Sequence, residues 1–129
     1  MLEQDKIFEE HINIISEEVN KAISSVKSII LYGGYGRNEG SWYQNSDGVY
    51  KPYNDYDILL VNGNKVEPHV LSTLKKKILK KINIRWIDLS QKSTTELKSL
   101  KPSIFNYDLK YASKVISGQK NILENIPEF

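Results

Sequence analysis

Asp55 and Asp57 stand two residues apart, where a polar stretch gives way to the apolar run Ile58-Leu59-Leu60-Val61. Side chains two apart on a strand share a face, so the two carboxylates point the same way. Like charges held that close repel unless a cation compensates them, and magnesium suits the place because it takes carboxylate oxygens together with substrate phosphates. A pair of solvated loop aspartates is the alternative. Asp88 supplies a third acid. Asn83 to Leu89 alternates so that Ile84, Trp86 and Asp88 share one side, which predicts a strand with a carboxylate at a position patterned for burial. A charge there calls for a charged partner. A metal held jointly with Asp55 and Asp57 provides one, while Arg85 or solvent is the other account. Gly33-Gly34 directly follows a short apolar run, Ser28 to Tyr32. Glycines at the end of a strand let the backbone approach a ligand, and successive N–H groups in such a turn cradle phosphate oxygens. An ordinary tight turn fits the same two residues.

The composition narrows what else the chain can do. Its 129 residues, 40% hydrophobic and 26% charged, fit one globular domain, 1–129, with a single activity-bearing site. Cysteine is absent, which excludes disulfides, thiolate zinc and a cysteine nucleophile. His11 and His69 are too few and too far apart for a histidine metal cluster, so a metal site must be built from oxygen ligands, as magnesium or manganese prefers. No apolar run has the length of a membrane span, and Glu3, Asp5 and Glu9 occupy the place of a basic signal segment, so a cytoplasmic protein without a membrane partner is expected. The net charge of +2 does not mark a dedicated nucleic-acid binder. Lys75, Lys76, Lys77, Lys80 and Lys81 nevertheless crowd one segment, read either as the solvated face of a helix or as a contact for RNA or an acidic partner.

The elements that must position the acids follow from periodicity. Phe8, Ile12, Ile15, Val19, Ile23 and Val26 recur at three and four, predicting an amphipathic helix that ends near Lys27. A strand over 28–32 enters the glycine turn, and Tyr35 to Asn54, rich in glycine, asparagine and serine, reads as loop. Residues 56–61 form a buried strand closed by Asn62-Gly63-Asn64, and a helix from about Glu67 to Lys81 leads to the strand carrying Asp88. Ser93-Thr94-Thr95-Glu96 has the spacing of a capping box, which opens a short helix ended by Pro102. A helix through Tyr107 and Tyr111 and a strand at 114–116 complete the reading. The fold class expected is α/β or α+β, a mixed sheet flanked by helices.

Gly33-Gly34, the following Arg37 and Glu39, Asp55-Tyr56-Asp57 entering Ile58-Leu59-Leu60-Val61, and the later Ile87-Asp88-Leu89 together resemble the DNA polymerase beta superfamily, closest to its minimal nucleotidyltransferases. The resemblance spans roughly residues 28 to 90. It implies the nucleotidyltransferase fold and an enzyme in which Gly33, Gly34 and Arg37 hold a nucleoside triphosphate. Asp55, Asp57 and Asp88 would bind Mg2+ or Mn2+ as metal ligands and catalytic residues. Two departures stand out. The family's glycine turn usually has serine second, where this chain has Gly34, and the stretch between the turn and the paired acids is longer than in minimal members. A register using Ser46-Asp47 would shorten it, but Val49 occupies the second acid's place and no buried strand follows.

The activity implied is transfer of a nucleoside monophosphate, most naturally AMP, to an acceptor hydroxyl by a two-metal mechanism. Asp55 and Asp57 would bridge both ions, and Asp88 would hold the catalytic one and help deprotonate the acceptor. Protein, small molecule and RNA all remain open as acceptor. Tyr35, Trp42, Tyr43, Tyr50 and Tyr53 fill the long loop, either to stack on a base or acceptor or to pack the loop onto the domain. Arg37 either neutralises phosphate charge or pairs with Glu39. Family members often continue into a helical domain that completes the site; here the expectation is a protein partner or a second copy in that role, or a chain that is an excised piece. A non-catalytic nucleotide- or toxin-binding module is the alternative function.

Overall fold

The computed structural model describes residues 2–52 and 55–129; Tyr53 and Asn54 of the expected loop, and Met1, lie outside the described residues. The first helix, α1, spans Glu3–Ala22 and buries His11, Ile15, Glu18 and Val19 along one stripe. It ends earlier than its apolar spacing predicts. Ile23 is already extended (φ −129°, ψ 101°) and Val26 opens strand β1, Val26–Tyr32, so both residues keep the spacing while having left the helix.

After β1 come a single helical turn α2 (Gly33–Gly36), strands β2 (Trp42–Gln44) and β3 (Tyr50–Pro52), strand β4 (Tyr56–Asn62), helix α3 (Pro68–Lys81) and strand β5 (Ile87–Lys92). Helices α4 (Thr94–Lys98) and α5 (Ile104–Tyr111), strand β6 (Lys114–Gly118) and a 3-10 turn (Ile122–Asn125) complete the chain. The main sheet has the order β5-β4-β1-β6, with β4 and β5 parallel and the other pairs antiparallel. The expected mixed sheet flanked by helices is therefore present. The capping box at α4 forms as read, with Glu96 N–H donating to Ser93 Oγ at 3.1 Å and Ser93 N–H donating to Glu96 Oε1 at 2.9 Å. Among the described residues no helix is long and apolar enough to cross a membrane.

The strand period of two sorts the apolar residues onto two faces. Ile29, Leu31, Tyr56, Ile58, Leu60 and Ile87 pack with α1 and α3. Ile30, Leu59 and Val61 pack with Leu97, Leu109, Ile122 and Ile126 on the opposite side. Asp57 alternates in phase with Leu59 and Val61, so it projects from the second face, beyond the end of that smaller core.

Two expectations are corrected. The third strand begins at Ile87, not Asn83, and its phase is reversed: Ile87 is buried whereas Trp86 and Asp88 are exposed. Ile84 still packs against the core, but from the irregular connection after α3, so its apparent alternation with Trp86 and Asp88 is not a strand period. Residues 35–52 also take in the end of α2 and a hairpin rather than only loop, with Trp42 paired to Pro52 and Gln44 to Tyr50. Strands of three residues are too short to show a period.

The hairpin is anchored by rings. Trp42 meets Phe8 edge-on at 6.4 Å and Tyr35 at 5.8 Å, and Tyr35 meets Tyr56 at 5.0 Å. Tyr35 and Trp42 thus pack the hairpin onto the domain. Trp42→Ala is expected to destabilise the fold by about 2 kcal/mol, below the value for a fully buried tryptophan because the residue is only half-buried. Tyr43, 44% exposed, should lose less than Trp42 on substitution by alanine. Denaturant melts of the two variants check this; equal stabilities would contradict the anchoring.

Candidate active site

At the end of the sheet where β1 stops and the parallel pair β4 and β5 starts, the register sets Asp57 between Tyr32 and Asp88. Registered neighbours in a sheet point to the same face. Asp88 therefore reaches Asp57 from the polar phase of its strand, and not, as the sequence pattern implied, from a buried phase. One cavity of about 410 Å³ is lined by Gly34, Arg37, Glu39, Asp55, Asp57 and Asp88. Five of the six residues proposed from the sequence share this cavity. The sixth, Gly33, lies against it. A Cβ built on Gly33 would stand 2.2 Å from Asp57 Oδ2, and its φ of +72° is the left-handed conformation that favours glycine.

The turn after Gly33 is closed by Arg37 N–H donating to Gly33 O at 3.0 Å and Glu39 N–H donating to Gly34 O at 2.7 Å. This hands Arg37 to the cavity wall. Its guanidinium donates through Nε to Glu39 at 3.0 Å and through Nη1 to Asp108 at 3.2 Å. The pairing with Glu39 anticipated from the sequence is present; the tie to Asp108 of α5 is not readable from it, because the two residues are 71 positions apart. Gly34 has room for a Cβ, which would meet only the Gly40 backbone at 3.9 Å.

Electrostatics single out Asp57. Burial, a hydrogen bond with Asp88 and the negative charges of Asp88 and Asp55 push its carboxyl up to about 6, against a smaller downward pull from Arg37. Two carboxylates can hydrogen-bond only by sharing a proton, so a cation in this cavity would take the proton's place. Among the described residues no three histidine, cysteine, aspartate or glutamate side chains are set as a ready-made metal cage. The donor set fits a hard cation that keeps water and phosphate oxygens as its remaining ligands, as magnesium does. On the other side of Asp57, burial raises the Tyr32 hydroxyl above its usual range, and Asp57 and Asp88 add to this.

His11 provides a counterweight in titration. Its Nδ1 lies 2.8 Å from the Tyr56 hydroxyl, and burial lowers its pKa from 6.5 to about 4. Because the fold favours neutral His11, its contribution is complete above pH 6.5 and is lost as pH falls toward 4, up to about 3 kcal/mol. Asp57 has the opposite sign: the fold favours its protonated form, so that contribution is complete below its unfolded value near 3.8 and is lost as pH rises through about 6. Between pH 4 and 6 the slopes oppose. The metal-free wild type should hold a nearly constant melting temperature there, whereas Asp57→Asn should melt progressively lower as pH drops. Parallel profiles would show that Asp57 carries no proton in this range.

No family model matches the chain, and no curated protein sequence matches it. Solved structures do. A chain of a toxin–antitoxin complex with AMP-PNP is 17% identical, with a TM-score of 0.59 over 88% of this chain and 77% of that one. A chain of the tri-AMPylated Shewanella oneidensis HEPN toxin in complex with MNT antitoxin is 16% identical, with a TM-score of 0.58 over 95% of this chain and 78% of that one. Spectinomycin adenyltransferase from Enterococcus faecialis, with ATP and spectinomycin, is 19% identical with a TM-score of 0.65; 93% of this chain covers 60% of it. The chain shares their fold. At these identities the likeness concerns the fold alone, and the expected nucleotidyltransferase architecture stands on it.

Proposed function

We propose that this chain is a nucleotidyltransferase that moves a nucleoside monophosphate, foremost AMP, from a nucleoside triphosphate to an acceptor hydroxyl, releasing pyrophosphate. The observation that carries the reading is the single cavity into which Asp55, Asp57, Asp88, Arg37 and Gly34 come together. Support for the class comes from the neighbours of like fold, one solved with AMP-PNP and another with ATP and spectinomycin.

Asp55, Asp57 and Asp88 would hold Mg2+ or Mn2+. Such an ion, when bound, offsets the charge of the triphosphate and of the transition state. The backbone at Gly33 and Gly34 and the guanidinium of Arg37, fixed by Glu39 and Asp108, orient the phosphates. Asp88, on the outermost strand and exposed, is the carboxylate that an incoming hydroxyl reaches, and it takes that proton as the acceptor oxygen bonds to the α-phosphorus and the bond to pyrophosphate breaks. A protein partner or a second copy is proposed to complete the acceptor side, where α5 leaves Ile104, Phe105, Tyr107 and Tyr111 exposed.

The alternative, a module that binds nucleotide without turnover, is favoured by one feature: Gly34 has no hydroxyl to hold a phosphate. Incubation with α-labelled ATP and magnesium, in the presence of protein, RNA and small-molecule acceptors, separates the two. Label on an acceptor with release of pyrophosphate is the expected result. Nucleotide binding with no labelled product on any acceptor would leave the binding module.

A further inference from the structure

The lysine cluster of α3 takes no part in the cavity just described. Its fourteen residues contain five lysines and no acid, whereas the whole chain carries only +2, so positive charge is concentrated on this one element. Leu74 and Ile78 are buried beneath it. Lys81 bonds to Glu18, and Lys77 adds to the positive field there. Lys76, Lys80 and the nearby Arg85 are exposed and have no hydrogen-bond or ion-pair partner among the described residues. Lys75 places its ammonium 4.5 Å from the ring centre of Trp86. Trp86 itself is 46% exposed, unusual for the largest side chain.

Trp86 precedes Asp88 by two residues, so chain geometry keeps their Cα atoms within about 7 Å. Chain geometry thus keeps the exposed indole, with Lys75 over it, beside the outermost carboxylate of the proposed site, at the edge strand of the sheet, while Lys76 and Lys80 extend the positive charge along the same helix as Lys75. A flat aromatic surface beside a row of unpaired cations is the combination that single-stranded nucleic acid recognises, bases stacking on the ring while phosphates follow the charges. An acidic protein would use the lysines but has no need of an exposed indole.

We infer that α3 and Trp86 form a docking surface for single-stranded RNA that presents its end, with vicinal hydroxyls, to Asp88. This deepens the proposed nucleotidyl transfer by naming its acceptor class, and the acceptor role rests on that reading.

The test is fluorescence anisotropy of a 5′-labelled RNA of about a dozen nucleotides, with the full chain and without nucleotide or metal, so that binding is read independently of transfer. Binding is expected, weakening as salt rises. Trp86→Ala should weaken it about tenfold. The double variant Lys76→Glu, Lys80→Glu should flatten the dependence of log affinity on log salt by about 1.4. Melting temperatures close to wild type would verify that these surface variants fold, and Trp86→Phe should retain much of the affinity that alanine loses. Absence of RNA binding overturns the inference. So does displacement by polyglutamate of matched charge combined with indifference to Trp86→Ala, which would assign the surface to an acidic protein. RNA binding by the wild type together with no labelled RNA product in the α-labelled ATP assay would count against nucleotidyl transfer while leaving the docking surface in place.

Discussion

Asp57→Ala should abolish metal-dependent nucleotide binding and transfer together, whereas Asp88→Ala should keep much of the nucleotide affinity and lose transfer by two or more orders of magnitude. The difference follows from where the two acids sit. Asp57 lines the cavity between Tyr32 and Asp88 in register. Removing it takes away the carboxylate proposed to be shared by the bound ions. Asp88 stands on the outermost strand and is exposed, so its loss chiefly removes the group proposed to receive the acceptor's proton. Without metal, Asp57→Asn should raise the melting temperature near neutral pH, because it relieves the repulsion that pushes the carboxyl up to about 6. Magnesium should raise the melting temperature of the wild type and leave that of Asp57→Asn unchanged. Nucleotide titration and a transfer assay on the three proteins would show the split; equal loss of binding in both variants would contradict it.

The second large effect is expected at Gly33, where no group is charged. Alanine there meets two obstacles at once. The backbone at φ +72° is strained for any residue with a Cβ, costing about 1–2 kcal/mol. The new methyl would also stand 2.2 Å from Asp57 Oδ2, so the carboxylate must turn away. Gly33→Ala should therefore lower both stability and magnesium-dependent nucleotide affinity. Gly34→Ala, with its nearest neighbour at 3.9 Å, should lower neither appreciably. Thermal melts paired with nucleotide titration check this. A Gly33→Ala protein that binds as well as wild type would mean the turn does not set the position of Asp57.

Much of the framework was legible in the sequence because its signals are local. Strand β4 announces itself by an unbroken apolar run, α3 by an apolar stripe between lysines, and α4 by the reciprocal spacing of Ser93 and Glu96. The sequence pattern sets Asp88 in a buried phase with Ile84 and Trp86, yet Ile87 is the buried residue and Asp88 meets Asp57 through parallel register, which a single strand's pattern does not reveal. The hairpin was missed because it owes its place to ring contacts across the fold, from Phe8 on α1 to Trp42, and sequence distance hides those. The Arg37–Asp108 pair is hidden for the same reason.

The acidic cavity is proposed to bind a nucleoside triphosphate through a divalent cation, which titration calorimetry with AMP-PNP, run once with magnesium and once with a chelator, can decide. Saturable binding in magnesium that disappears with the chelator and in Asp57→Ala is the predicted result. Binding of equal strength under both conditions, or heat of binding under neither, would contradict the claim.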